Sequence, residues 1–149
     1  MTVGWSPDLT LNEDLLDTQH VDLFRRLSEA SAALEGPRDD LDEAVAAFAD
    51  ELVAHLAFEE RLMDETLYPE RVRHRSAHEL FVADLGQMRH ELAEKGPTPA
   101  VADWIRNRLP EWLRFHIRVN DVPFGAFLAR RRQHGGEARP RRDDGRRLS

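Results

Sequence analysis

The chain contains no cysteine among its 149 residues. This absence excludes a disulfide framework, a zinc site built on thiolates and an iron–sulfur cluster. The N-terminal sequence MTVGWSPDLT also lacks the basic and apolar regions of a secretory signal. No uninterrupted apolar run approaches the roughly eighteen residues of a membrane-spanning helix. We therefore expect a cytoplasmic protein without a membrane span.

Positive charge is scarce outside the C-terminal end of the chain. The net charge is −7, yet residues 130–149 hold eight arginines and three acids, which leaves −12 on the remainder. Such an acidic body argues against nucleic-acid binding by the main domain. Residues 133–149 are rich in arginine, glycine and proline without a hydrophobic face, so we expect a disordered tail. The candidate binding partners of this tail are a polyanion, a membrane surface and a protein.

The remaining sequence reads as four helices without strand-like alternation. Apolar residues recur at steps of three and four within four long segments, which is the helical period. Proline-containing pairs separate these segments at Gly36-Pro37, Tyr68-Pro69 and Gly96-Pro97. Short connections between helices favour an all-α, antiparallel up-down-up-down four-helix bundle over residues 1–132. The first ten residues form an N-terminal arm that we expect Trp5 to anchor.

Two helix starts have recognisable capping residues. Thr98 precedes Pro99, which is the pattern of an N-cap followed by proline at the first helical position. Asp40 is followed three residues later by Glu43, which has the spacing of a capping box. The two pairs predict the beginnings of the fourth and second helices.

Histidine occupies the inward stripe of every predicted helix. The five histidines are His20, His55, His74, His78 and His116. A single histidine at such a position is more often a hydrogen-bonded core residue than a ligand. Five of them, joined on the second helix by Glu59, would each need a buried polar partner. A metal ion meets this need, because neutral imidazole nitrogen is a metal ligand and coordination offsets the loss of hydration.

Counting from the turns places these histidines at two heights in the bundle. His20 lies 17 residues before Pro37 and His55 lies 18 after it, so antiparallel helices bring them to one level. His78 and His116 lie 19 residues on either side of Pro97, and they share a second level. At about 1.5 Å per residue, the two levels are only ~5 Å apart.

The two heights predict two metal ions rather than one. His20 and His55 would bind the first, while His78 and His116 would bind the second with His74, one turn away. Glu59 lies between the levels, nine residues before the Tyr68 turn, and would be a bridging carboxylate. Gln19 and Asp17, just before His20, are candidates for hydrogen bonds to a ligand, although a solvated face explains them equally well.

Asp121 is the candidate for a second bridging carboxylate. It follows His116 by five residues, which is about 140° around an ideal helix and away from the stripe. A local π-type widening would turn it back towards the site, and Pro123 favours such an irregularity because it removes a backbone donor. On spacing alone, a solvated acid near a helix kink is the better interpretation.

Four sequence pieces together resemble the hemerythrin family, specifically its single-domain bacterial form. They are LDTQH ending at His20, HLAFEERLM beginning at His55, HRSAH from His74 to His78, and WLRFHIRVND from Trp112 to Asp121. The resemblance implies a non-haem di-iron centre with an oxo or hydroxo bridge and reversible dioxygen binding for storage, delivery or sensing. It assigns His74, His78 and His116 to one iron, His20 and His55 to the other, and Glu59 and Asp121 to both.

The resemblance also implies an apolar pocket beside the open position of the two-histidine iron. Trp112 and Leu113, one turn before His116, match the pocket residues of the family, and Phe24 is a further candidate. Ordinary core packing is the alternative for each, and it is favoured for Phe24.

The competing functions are a di-iron enzyme acting on peroxide or nitric oxide, and an iron-holding cargo or interaction protein. Five imidazoles suit ferrous iron, whereas di-iron enzymes of the ferritin type use mostly glutamates, which favours a dioxygen carrier over an enzyme.

Overall fold

A computed structural model describes residues 4–137 of the chain, with side chains described as far as residue 134. Three long α-helices come first: α1 (Asp14–Ala33), α2 (Arg38–Glu65) and α3 (Arg71–Lys95). The fourth long helix is a continuous run of three α-helical segments: α4 (Pro99–Asp103), α5 (Leu109–His116) and α6 (Val122–Glu137). π-helical segments lie between them at Trp104–Arg108 and Ile117–Asp121.

The helices pack in sequence order around one core. α1 packs against α2, α2 against α3 and α3 against α4, and α5 returns to α1 and closes the bundle. The connections are short, so successive helices run antiparallel. The predicted all-α, up-down-up-down four-helix bundle is confirmed over the described residues. None of the helices in this part of the chain combines the length and apolar character that crossing a membrane requires.

The two predicted helix caps have different outcomes. The Thr98 side chain accepts a hydrogen bond from the Val101 backbone N–H at 3.2 Å, as the sequence predicts. The Asp40 prediction is wrong, because α2 already begins at Arg38 and Pro37 occupies its N-cap position. Pro37 has an extended backbone conformation before the helix, and no side chain caps this end.

The N-terminal arm, which comprises residues 4–12 in the structure, is held mainly by two leucines. Trp5 is half-buried against the core, as expected, but Leu9 and Leu11 are buried more completely, at 0% and 3% exposure. Leu9 lies at the end of the short 3-10 helix Pro7–Leu9. The arm therefore contributes to the hydrophobic core.

Polar contacts tie the same arm to the fourth long helix. Asp8 accepts hydrogen bonds from Arg114 at 3.1 Å and from Arg118 at 2.7 Å. Arg114 also donates to the backbone carbonyl of Gly4 at 3.0 Å. Because these two arginines flank His116 by two residues on each side, the arm lies across the segment that carries this predicted ligand.

α6 extends into the residues that the sequence assigns to the tail. It continues to Glu137, so residues 133–137 are helical, while the tail is expected from residue 133. Arg132 forms an ion pair with Glu13 near the start of α1. Residues 138–149, to which most of the predicted tail belongs, lie outside the described residues, as do the predictions made for their disorder and partners.

Candidate metal centre

All the polar residues that are buried in the described part of the chain lie in one cluster. Each is at most 4% exposed. The cluster consists of His20, His55, Glu59, His74, His78, His116 and Asp121. These are the seven residues that the sequence predicts as metal ligands, and the fold brings all of them together.

Each long helix supplies part of this cluster. α1 contributes His20, and α2 contributes His55 and Glu59, which share one face because they are four residues apart. The same spacing aligns His74 and His78 on α3, while α5 contributes His116.

Asp121 reaches the cluster because the helix is locally widened. The π-helical segment Ile117–Asp121 is closed by a hydrogen bond from Val122 N–H to the Ile117 carbonyl, five residues back. One turn here takes more residues than in an α-helix, so Asp121 points inward and is 0% exposed. The structure thus contains the π-type widening that would bring Asp121 to the site, and the interpretation favoured by spacing alone, a solvated acid, is wrong. The other π-helical segment, which immediately precedes Leu109-Pro110, was not predicted.

Three histidines form the first group within the cluster. His74 Nε2 lies 3.0 Å from Glu59 Oε1 and 2.9 Å from Asp121 Oδ1. His78 Nε2 is also 3.0 Å from Glu59 Oε1, and it is 3.2 Å from His116 Nε2. His116 Nε2 lies 3.3 Å from Asp121 Oδ1. Three imidazole nitrogens and one oxygen of each carboxylate therefore face a common point.

The other two histidines face the remaining carboxylate oxygens. His20 Nε2 lies 3.1 Å from Asp121 Oδ2, and His55 Nε2 lies 3.6 Å from Glu59 Oε2. The candidate ligand atoms of each group lie within 4.8 Å of one another. Each carboxylate thus presents one oxygen to the three-histidine group and the other to the two-histidine group. This is the division into three and two that counting from the turns predicts.

Several of these close atoms lack hydrogen-bond partners. Both ring nitrogens of His20, Oε2 of Glu59 and both oxygens of Asp121 are buried without a hydrogen bond. Leaving such a group unpaired costs about 1–3 kcal/mol each. The atoms are near one another but not aligned for mutual hydrogen bonds, as expected of ligands directed at shared positions. The donor set therefore fits a metal, which would satisfy them together.

Contacts within the metal-free cluster shift the pKa values of its carboxylates and histidines. Burial lowers the pKa of His74, but contacts with Asp121 and Glu59 outweigh burial and raise this pKa to about 9. Burial and Asp121 raise the pKa of Glu59, but His74 and His78 outweigh them and lower it to about 2. Burial also lowers the pKa of His55 to about 4. The raised pKa of His74 means that a metal bound at this nitrogen would compete with a proton.

The outer ring nitrogens of three histidines have their own partners. His55 Nδ1 donates to Gln19 Oε1 at 2.5 Å, and His78 Nδ1 donates to Glu60 Oε2 at 2.8 Å. The side-chain amide of Asn120 lies 3.0 Å from His116 Nδ1. Such contacts fix the orientation of a ligand ring.

Sequence reasoning found only one of these partners. Gln19 was a candidate, whereas Asp17 instead accepts hydrogen bonds from Thr10 and from the backbone of Leu11 in the arm. Asn120 could have been found from its spacing, since it follows His116 by four residues. Glu60 has no such signal, because its partner lies on another helix.

Aromatic rings cover the three-histidine group. The predicted pocket residue Trp112 stacks on His116 with ring centroids 4.7 Å apart and on Phe81 at 3.4 Å. It therefore lies on the side of the three histidines. The other two predicted pocket residues, Leu113 and Phe24, are buried in the core at 2% and 4% exposure.

Tyr68 is a further aromatic residue near the cluster. Its ring lies 4.8 Å from Phe124, 5.0 Å from Phe127 and 6.5 Å from His74, measured between centroids. Sequence reasoning would assign it only to the turn before Pro69. The turn instead closes one end of the cluster with an aromatic ring.

Comparison with known proteins agrees with this geometry. The family model described as the hemerythrin HHE cation binding domain matches residues 12–123. A bacteriohemerythrin of Stenotrophomonas maltophilia is 31% identical over 144 residues, which cover 89% of this chain and 90% of that protein. A bacteriohemerythrin of Pseudomonas aeruginosa is 28% identical over 121 residues, covering 80% of this chain and 77% of the relative. The matched region contains all seven clustered side chains, and the chain belongs to the hemerythrin family.

Proposed function

We propose that this chain binds dioxygen reversibly at two non-haem iron ions, for oxygen storage, delivery or sensing, and that it is not an enzyme. The observation that carries the proposal is the unequal division of the imidazoles. One group has three imidazole nitrogens and the other has two, while both share the same two carboxylates. The two-histidine position is therefore one protein ligand short, and this is where dioxygen would bind.

Each residue of the cluster has a role in this proposal. His74, His78 and His116 would hold one iron, His20 and His55 the other, and Glu59 and Asp121 would bridge both, together with an oxo or hydroxo group. When bound, an iron pair supplies two electrons to dioxygen and recovers them on its release. The carboxylates are ionised at neutral pH, since the pKa values of Glu59 and Asp121 are lowered, and they can offset the charge of the metal ions.

The donor set and the surroundings favour a carrier over an enzyme. Imidazole nitrogens suit ferrous iron, and the di-iron enzymes of the ferritin type rely instead on glutamates. Reversible binding also needs a dry site, because water would help a reduced oxygen species to leave. Leu113 and Phe24 are the buried apolar residues that we assign to this exclusion of water, and Trp112 holds His116 by stacking. The name bacteriohemerythrin of the matched relatives agrees with this function.

Anaerobic loading with ferrous iron, followed by cycles of air and argon, tests the proposal. We expect two irons per chain and a visible absorption band that appears with air and disappears under argon. His20→Ala removes one of the two imidazoles at the open position and should abolish the reversible band while the helical circular dichroism remains. His90→Ala is the matched control, because His90 is an exposed histidine outside the cluster, and it should behave as the wild type.

Other results would contradict the proposal in distinguishable ways. One metal per chain, or zinc that iron does not displace, would exclude a di-iron centre. Rapid irreversible oxidation with turnover of peroxide or nitric oxide would instead show an enzyme. A normal reversible band in the His20→Ala protein would remove this histidine from the open position.

A further inference from the structure

The outer partners of the clustered histidines differ in charge. His78 donates its Nδ1–H to a carboxylate, that of Glu60. His55 instead donates to the neutral amide of Gln19, and His116 faces the neutral amide of Asn120. Among these three contacts, the one anionic partner therefore belongs to the three-histidine group.

Glu60 is partly buried, and its carboxylate lies beside an apolar groove. Its side chain is 28% exposed and lines an apolar groove of about 410 Å³ between α2 and α3. The walls of this groove include Val53, Leu56 and Val82. The nearest cation, Arg75, is 3.5 Å from Glu60 Oε1, whereas Arg75 also bonds to Asp64 at 2.9 Å. Arg75 lies near Oε1, which leaves Oε2 to the charge-assisted bond with His78, and the partial burial of Glu60 limits the screening of this bond by solvent.

A charged acceptor on Nδ1–H changes how the opposite nitrogen binds metal. It draws the proton away from the ring, which raises the electron density on Nε2 and makes the imidazole a stronger donor. A neutral amide fixes the orientation of the ring but adds much less donor strength. A stronger donor favours the more highly charged state of a metal, so His78 should favour ferric over ferrous iron more than His55 does.

We propose that Glu60 is a positioning residue that makes the two iron positions unequal by acting through His78. It lowers the reduction potential of the three-histidine iron below that of the two-histidine iron. In half-reduced protein, the ferrous ion then lies at the two-histidine position, where dioxygen would bind. This inference rests on the proposed di-iron function.

Redox titration of the iron-loaded protein, with the two one-electron steps resolved, tests the role of Glu60. Glu60→Gln keeps the shape of the side chain and removes its charge. A tenfold greater loss of affinity for ferric than for ferrous iron, at the lower end of the effect of removing such a partner, raises a one-electron potential by about 59 mV. We expect the lower of the two potentials to rise by about this amount, with a smaller change in the higher one.

Two further variants separate this effect from structural ones. Glu51→Gln is the matched control, because Glu51 is also on α2, is 29% exposed and pairs with Arg26 at 2.9 Å instead of a histidine. It should leave both potentials unchanged. Gln19→Glu gives His55 a charged partner, so it should lower the higher potential and narrow the gap between the two steps.

The role of Glu60 can fail while the proposed function stands. Equal potential shifts in Glu60→Gln and Glu51→Gln, or equal shifts of both steps in Glu60→Gln, would overturn it. If Glu60→Gln does not retain two irons, unchanged potentials in Gln19→Glu would overturn it. In either case, wild-type protein with two irons and reversible air–argon cycles would still support dioxygen binding. Wild-type protein without two redox steps would reject the di-iron function itself.

Discussion

Substitution of Gly125 by alanine should destabilise the bundle, because the N-terminal arm crosses α6 at this glycine. A Cβ atom at residue 125 would lie 2.8 Å from the Cβ of Leu11 and 2.9 Å from its carbonyl oxygen. The contact includes the backbone of the arm, so rotation of the leucine side chain cannot relieve it. The arm has to move away from α6, and Leu9 and Leu11 move with it.

The loss of stability expected for Gly125→Ala has two sources, which are overpacking at residue 125 and exposure of the two buried leucines of the arm. Adding a methyl group to a well-packed site costs about 1–3 kcal/mol. Full release of the arm would add about 1.5–3 kcal/mol for each of the two buried leucines, which sets an upper limit. For a chain of this size, 1 kcal/mol corresponds to about 2–4 °C in Tm. For overpacking alone, without release of the arm, we therefore expect Gly125→Ala to lower the Tm of the metal-free protein by about 2–12 °C, measured by circular dichroism.

Gly86→Ala is a control for which we expect the Tm to rise instead of fall. Gly86 is also a helical glycine, in α3, but a Cβ there would have no neighbour within 4 Å. Alanine is a better helix former than glycine by about 0.5–1 kcal/mol, so this variant should raise the Tm. Since the arm holds Arg114 and Arg118 on either side of His116, Gly125→Ala should also release iron faster. A Tm that does not fall in Gly125→Ala, or that moves in the same direction in both variants, would refute the described packing of the arm.

Two further predictions concern the metal centre. Leu113→Ala should admit water beside the open iron position and speed autoxidation of the oxygenated protein without loss of iron, measured as decay of its visible band. Leu92→Ala, which truncates a similarly buried leucine at the far end of α3, is the control, and equal rates in the two variants would leave Leu113 only a packing role. The pKa of His74 is raised from 6.5 to about 9, so its stabilising contacts in the metal-free protein are fully present below pH 6.5 and are lost as pH rises through about 9. Metal binding should therefore release a proton near pH 7 and strengthen as pH rises towards 9, and a binding constant that does not change with pH would contradict this assignment.

The fold was predictable because its helices repeat one regular geometry. Steps of three and four between apolar residues define a helical face in any sequence, and short proline-containing turns leave antiparallel packing as the simple arrangement. The ends of helices follow less regular rules. Asp40 has the spacing of a cap, yet α2 begins earlier, at Arg38 after Pro37, and α6 extends to Glu137, into residues whose composition predicts a disordered tail.

Most of the candidate ligands could be brought together from the sequence, because their positions follow from regular helix geometry. Counting residues from the turns placed His20 with His55 and His78 with His116, because each residue of a helix adds a constant rise. Asp121 could not be placed in this way, since a π-helical segment breaks the constant angle. Pro123 was the only nearby residue that indicated a departure from regular α-helical geometry. Glu60 was not predicted at all, because its contact with His78 depends on how α2 and α3 face each other.

A polar centre changes how the bundle has to be stabilised. Seven polar side chains occupy the inward positions that leucine fills elsewhere in the same helices. Without metal, the middle of the bundle contributes unpaired buried groups, so the apolar layers on either side have to provide the stability. Leu9 and Leu11 of the arm belong to such a layer, and Asp8 of the same arm binds the arginines around His116. The arm is thus a structural element whose loosening should weaken the apolar core and the metal centre together.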